Sequence, residues 1–154
     1  MRVLIQEVKS ASVAVENETI AKIGRGVLLF VGFTEGDDEM TLCKMRDKIL
    51  KLRIFPDANG KTNLSLDAVQ GEVLSVSQFT LYGDVKEGNR PSFVNAMKPE
   101  EASRLYALWV NLLREKVPSL QSGRFQATME VSLVNDGPFT LWLDSQELFA
   151  RKKA

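Results

Sequence analysis

The run Val27-Leu28-Leu29-Phe30-Val31-Gly32-Phe33 carries only apolar side chains or none. Successive side chains of a strand point to opposite faces, so a run apolar on both faces predicts a central strand covered above and below. A sheet with one face in water is excluded, and cover must come from elsewhere in the chain. Upstream, residues 2 to 9 and 12 to 16 are rich in Val and Ile, and Glu16-Asn17-Glu18 separates them from Thr19-Ile20-Ala21-Lys22-Ile23. This predicts an opening β-hairpin. Gly24 and Gly26 then read as turn residues, because neither GxGxxG nor GxxxxGK follows them.

The cover is found further along. Asp37 and Asp38 are positioned to cap a helix whose Leu42, Met45, Ile49 and Leu52 recur at helical spacing, with Lys44, Arg46, Lys48 and Lys51 read as its solvated face. Phe55 to Lys61 breaks that pattern with turn residues, and a strand follows Gly71 as far as Ser77. The Tyr82 to Pro91 segment, with two glycines, a proline and two bases, predicts an exposed loop suited to a polyanion. Pro99 suits a first helical position, Glu100 and Glu101 a first turn, and Leu105, Leu108, Trp109, Leu112 and Leu113 form the apolar stripe of a second helix. Phe125, Ala127, Met129, Val131 and Leu133 alternate with polar residues, which predicts one long strand. Arg151-Lys152-Lys153 is expected to fray. Strands, helix, strand, helix, strands is the order of an α/β fold in one domain, residues 1–154, with a mixed sheet rather than a regular doubly wound one.

Composition narrows the chemistry more than the fold. The chain has no histidine, which removes the usual neutral-pH base, the serine triad and most zinc or haem sites together. Cys43, the single cysteine, has no partner for a disulfide or a Cys/His pair and reads as core filler. Lysines plus arginines equal acids at 20 each, so no overall field draws nucleic acid, although a local basic patch is compatible with this balance. No apolar run approaches the ~18 residues of a membrane span. A cytoplasmic protein with no membrane partner, no metal and no cofactor is expected.

Two stretches do not fit a purely structural reading. In Val73 to Leu81 the apolar pattern stops at Ser77, and hydroxyl and amide groups (Ser77, Gln78, Thr80) stand where a core strand would stay apolar. In Asn135-Asp136-Gly137-Pro138-Phe139-Thr140, a Gly-Pro pair sits between two strand-like runs, where it can present bare carbonyls.

Together with Gly88-Asn89-Arg90-Pro91-Ser92-Phe93, these stretches resemble the D-aminoacyl-tRNA deacylases in sequence and separation. The likeness extends through Ile5-Gln6, Arg53-Ile54-Phe55, Gly60-Lys61 with Asn63, and Phe125 with Met129. The resemblance implies barrel-like mixed sheets with two main helices packed on one face, in three layers α/β/β. It implies hydrolysis of the ester joining a D-amino acid, or glycine mischarged on tRNA-Ala, to the 3′ end of tRNA. It also implies a homodimer in which the Gly137-Pro138 pair, held cis, enters the partner's site and excludes L-amino acids. Ser77, Gln78, Phe79 and Thr80 then form the catalytic stretch, with the Phe79 N–H as oxyanion donor and the tRNA 2′-hydroxyl as activating group. Ala102 holds the α-amino group, and Phe125 and Met129 line the adenosine side.

Read without the family, Ala102, Phe125 and Met129 are equally well core residues. Thr80 has two readings, covalent nucleophile or positioning group, and the lack of any evident base favours the second. Two positions depart from the family pattern. Glu7 stands where Arg usually holds the Gly-Pro loop, so either another base such as Arg2 compensates or the loop is anchored differently. Gln126 replaces a small residue. A noncatalytic dimeric module that binds tRNA ends is the alternative, but it would not need Ser77, Gln78 and the Gly-Pro pair together.

Overall fold

The computed structural model describes residues 1–150. Its elements are β1 (Arg2–Val15), β2 (Glu18–Ile23), β3 (Gly26–Gly32), α1 (Glu39–Lys51), β4 (Phe55–Pro56), β5 (Thr62–Leu64), β6 (Glu72–Ser77), a 3-10 turn (Phe79–Tyr82), α2 (Pro99–Lys116), β7 (Gln121–Ser122), β8 (Glu130–Asp144) and α3 (Ser145–Leu148). The expected fraying of Arg151-Lys152-Lys153 lies outside the described residues.

β1 is the axis of the sheet. Its first half pairs antiparallel with β3, from Arg2 opposite Gly32 to Val8 opposite Gly26. Its second half pairs with β2, from Ala11 opposite Ile23 to Val15 opposite Glu18. The turn joining β1 to β2 puts Glu16 and Asn17 at φ of 51° and 65°, the all-positive pattern that matches the twist of a tight hairpin. β8 runs along the other edge of β1 over nearly its whole length. β3 and β6 are parallel, as are β6 and β7, so the sheet is mixed, in the order β2-β1-β3-β6-β7 with β8 on β1. It curls into a nearly closed barrel.

Burial explains why β3 had to be apolar throughout. Val27, Leu29 and Val31 pack with Val3 and Ile5 beneath Leu42, Met45 and Ile49 of α1 and Leu105, Trp109 and Leu113 of α2. Leu28 turns the other way, into a second core with Val8, Val13, Ile23, Leu74 and Val76. The helices thus cover one face of the sheet, and the barrel interior covers the other. Asp38 caps α1, accepting from the Thr41 N–H at 2.9 Å. Asp37 instead accepts from the Met1 ammonium at 2.8 Å and from the Thr34 N–H at 2.9 Å.

Two expectations are corrected. Lys44, Lys48 and Lys51 are exposed, but Arg46 is buried: it donates to the Leu112 carbonyl at 3.0 Å and pairs with Glu115 at 3.3 Å, clamping α1 to α2. The stripe pattern does not show this because a long basic side chain can bury its stem while its head finds carbonyls. The long strand expected from Phe125 begins only at Glu130. Phe125, Ala127 and Met129 do alternate in burial with Gln126, Thr128 and Glu130, but without a ladder, and Gln126 lies at φ 62°. Alternating burial in an irregular segment has the same signature in sequence as a strand.

Candidate active site

The polar stretch begins where β3 and β6 end together. Val31 is in register with Ser77, and the Gln78 N–H donates to the Val31 carbonyl at 2.7 Å, fixing the start of the turn to the last residues of β3. Gly32 makes this seat possible: a Cβ there would lie 2.8 Å from the Gln78 carbonyl oxygen. The chain then enters the 3-10 turn, and the N–H groups of Phe79 and Thr80 have no protein acceptor among the described residues. The first N–H groups of a helical turn are unpaired by geometry, which leaves them free to meet a developing negative charge. The Gln78 side-chain amide donates to Thr80 Oγ1 at 2.5 Å. Phe79 is 56% exposed and packs edge to face against Phe93, with ring centres 5.1 Å apart.

A buried polar network supports this surface. Ser75 is fully buried between apolar neighbours of β6, and Trp109 Nε1 donates to its hydroxyl at 3.2 Å. Its carbonyl accepts from the Tyr106 hydroxyl and from the Gly123 N–H, both at 2.9 Å. The Tyr106 hydroxyl also lies 2.8 Å from Ser122 Oγ. Burial raises the Tyr106 pKa, opposed in part by the two serine hydroxyls, so the group stays neutral and keeps its proton to donate. The Tyr106 ring stacks on Phe125 with centres 6.0 Å apart. One network therefore ties together β6, α2 and the segment carrying Phe125.

Over this floor opens a cavity of about 790 Å³ whose lining includes Ser77, Gln78, Phe79, Ala102, Phe125 and Met129. Six of the nine site residues expected from sequence meet there. Thr80, Gly137 and Pro138 are not part of the lining. Among the described residues, Lys98 is the one charged residue in it.

The Gly-Pro pair sits on β8. Gln6 is paired with Thr140 and Val8 with Asn135, so Asp136 to Phe139 bulge out of the ladder opposite Glu7. Asp136, Gly137 and Pro138 are all exposed. Asn135 closes the bulge: its Oδ1 accepts from the Phe139 N–H at 2.9 Å, and its Nδ2 donates to Thr140 Oγ1 at 2.9 Å. The Gln6 side chain adds a second bond to the Thr140 hydroxyl at 3.2 Å. Gly137 holds φ 131°, a region closed to residues with a side chain, and its bond to Pro138 is cis.

The family model for D-Tyr-tRNA(Tyr) deacylase matches residues 4–144. The chain belongs to that family. It is 55% identical to the D-aminoacyl-tRNA deacylase of Chloroherpeton thalassium, over 94% of this chain and 96% of that one. It is 54% identical to the D-aminoacyl-tRNA deacylase of Lactobacillus gasseri, over 94% and 99%. Among solved structures, the c-Myc DNA Unwinding Element Binding Protein superposes with a TM-score of 0.88 at 40% identity, covering 94% of this chain and 98% of that one. A probable eukaryotic D-amino acid tRNA deacylase shares the fold, with a TM-score of 0.80 at 19% identity over 92% and 97%. Membership in the D-Tyr-tRNA(Tyr) deacylase family makes the chain a hydrolase, and no helix among the described residues is long and apolar enough to cross a membrane.

The departures from the family pattern now have a physical setting. Arg2 does not replace the missing base at the Gly-Pro bulge. Its Nε pairs with Asp144 at 3.0 Å, its Nη1 donates to the Leu81 carbonyl at 2.8 Å, and its guanidinium lies over the rings of Tyr82 and Trp142. The bulge is anchored by Asn135 and Gln6 instead. Glu7, only 7% exposed, is held above the ordinary carboxylate value by burial first and by Asp136 second, with Arg25 acting against both. Gln126 occupies a positive φ, where a glycine would sit without strain. Sequence reading missed Tyr106, Ser122 and the clasp role of Asn135. Ser75, a hydroxyl inside an apolar strand, was the available signal for the first two.

Proposed function

We propose that the chain hydrolyses the ester of D-aminoacyl-tRNA and of glycyl-tRNA, releasing the amino acid and free tRNA, and that it rejects L-aminoacyl-tRNA. The observation that carries this reading is the cavity that gathers Ser77, Gln78, Phe79, Ala102, Phe125 and Met129 while offering no carboxylate, histidine or cysteine on its walls. Such a site has no protein base with which to activate water or a hydroxyl. An aminoacyl ester is already activated, and a site that orients it and binds the developing oxyanion supplies much of what its hydrolysis needs. The free Phe79 N–H is the oxyanion donor in this scheme, and Gln78 and Ser77 hold the turn in place. The 2′-hydroxyl of the terminal adenosine acts as the activating group. Thr80 is a positioning residue, since its oxygen already accepts from the Gln78 amide and no titratable group touches it among the described residues.

Chirality is read in trans by the same proposal. Gly137 and Pro138 stand exposed on a clasped bulge and line no part of their own chain's cavity, so they act on the cavity of a second copy in a homodimer. Among the described residues β8 pairs only with β1, and its Val134 and Trp142 side chains are about half exposed, which provides an apolar edge for that second copy. Two backbone carbonyls beside the substrate α-carbon would leave room for hydrogen but not for an L side chain, a rejection that does not depend on which D side chain is present. Deacylation of matched D-, L- and glycyl-tRNA tests the reading. Release from the D- and glycyl-forms with the L-form intact is expected, and rapid loss of the L-form, or no release from any, overturns it.

A further inference from the structure

We propose that Lys98 is the residue that holds the phosphodiester of the terminal RNA nucleotide at the mouth of the cavity, an inference that rests on the ester-hydrolase reading above. Lys98 is exposed and makes no ion pair among the described residues. It is the one charged residue in a lining otherwise made of apolar, amide and hydroxyl groups. The ligand's own charges decide what it can meet. In an aminoacyl ester the carboxylate has been consumed, and the α-amine is cationic or neutral, so with a neutral side chain the acyl end of the bound substrate offers a lysine no fixed negative charge. The anionic groups are the phosphodiesters that join the last nucleoside to the chain before it. Lys98 therefore marks the nucleotide side of the cavity.

The local fold places the ammonium where this contact is useful. Lys98 immediately precedes Pro99, the first residue of α2, and the Ala102 N–H donates to the Lys98 carbonyl at 2.9 Å. Ala102, one turn into the helix, lines the cavity beside it, and the Met97 N–H is tied to the Phe33 carbonyl at 3.0 Å. The backbone on both sides of Lys98 is thus fixed to α2 and to the residue following β3, so the lysine stem starts from a defined point. The nearby acids are Glu100 and Glu101, both exposed, and Glu101 is engaged with Arg104 at 3.1 Å. A lysine offers one compact charge that suits a single phosphate without the planar geometry an arginine demands.

Steady-state deacylation separates this role from a structural one. With D-aminoacyl-tRNA at low salt, Lys98→Ala is expected to raise KM about fivefold with little change in kcat, as for loss of one solvent-accessible charge pair. The slope of log(kcat/KM) against log[salt] is expected to become shallower by about 0.7, the value of one phosphate contact on a single strand. Lys98→Arg is expected to restore most of both. Lys116→Ala, which removes a charge at the far end of the same helix, is expected to change neither. The deciding substrate is D-aminoacyl-adenosine, which keeps the ester and the nucleoside but has no phosphate. On it the unmodified protein and Lys98→Ala are expected to be equal. Loss of activity on D-aminoacyl-adenosine in Lys98→Ala, or an unchanged KM and salt slope on the tRNA ester, overturns the assignment. If instead the unmodified protein cleaves neither substrate, the hydrolase reading itself has failed.

Discussion

The cavity and the Gly-Pro bulge are built on opposite principles. The cavity has depth behind it: Ser75, Tyr106, Trp109 and Ser122 form a hydrogen-bonded floor, and the groups above it arrive from β6, α2 and the 123–129 segment. The bulge is a local device in which one strand closes on itself through Asn135, with exposed residues at its tip. A hydrogen-bonded floor suits a surface that must orient a substrate, whereas the exposed tip lines no part of the cavity among the described residues. On the proposed reading, neither half alone makes a complete chirality-reading site. The difference argues that the unit of function is two chains.

Mixing two crippled variants gives the largest effect. Gln78→Ala disables the cavity, and Gly137→Ala puts a Cβ on the bulge that obstructs the substrate's place in the partner's cavity, with about 1–3 kcal/mol of strain because alanine is disfavoured at that φ. Each alone is expected to be nearly inactive on D-aminoacyl-tRNA. Unfolding and refolding them together creates mixed dimers with one intact cavity facing one intact bulge, so about a quarter of wild-type activity is expected to return. Failure of the mixture to regain activity would mean that each chain serves itself. Sedimentation of the unmodified protein at micromolar concentration gives the matching check, with a fully active 17.2 kDa monomer as the contrary result.

The next test concerns the cavity alone. Replacing the terminal adenosine of D-aminoacyl-tRNA by its 2′-deoxy form and attaching the amino acid at the 3′ position is expected to abolish cleavage nearly completely. Thr80→Ala is expected to keep most of it. Trapping a covalent aminoacyl adduct on Thr80 would reverse these roles.

Tyr106→Phe tests the floor beneath the cavity. Removing a hydroxyl that serves both the Ser75 carbonyl and Ser122 is expected to cost about 1–3 kcal/mol in denaturant unfolding, because buried partners are left unpaired. KM is expected to rise as Phe125 loses its fixed ring neighbour. An unchanged midpoint would show that the floor does not depend on this hydroxyl.

The smallest expected effect lies under the bulge. Because the Glu7 pKa is raised in the folded chain, the folded state holds this proton more tightly than the unfolded one. The resulting stabilisation is complete below the unfolded value, near 4.5, and is lost as pH rises through the folded value. Glu7→Gln is expected to flatten that part of the stability profile in unfolding measured from pH 4 to 8. A wild-type profile matching that of Glu7→Gln would remove Glu7 as the cause.

How much of this was written in the sequence depends on the range of the interaction. The hairpin turn, both helices, the apolar β3 and the polar end of β6 were legible because each is set by residues within a few positions of one another. Arg46 misled because its partners, Leu112 and Glu115, lie on another helix. Phe125 to Met129 misled because alternating burial does not require a ladder. Of the site, the lining was legible through family resemblance, while its support was not. Ser75 stands out as a hydroxyl in an apolar strand, but its partners Tyr106 and Ser122 cannot be told from other residues until β6, α2 and β7 are brought together. Arg2 was the natural substitute for the absent basic residue at Glu7, yet its partner Asp144 faces it directly across the β1–β8 ladder.

β1 has a consequence beyond pairing. The cavity is referenced to it through β3, whose Val31 carbonyl fixes Gln78, and the bulge is referenced to it through Gln6 and Glu7. One strand is therefore the ruler from which both half-sites take their position. In a two-chain assembly that ruler is used twice, so any error in its graduation appears in both sites at once. A single residue inserted between Arg2 and Gln6 would exchange the faces of the strand beyond it. It would spoil the spacing of cavity to bulge without altering a residue of either.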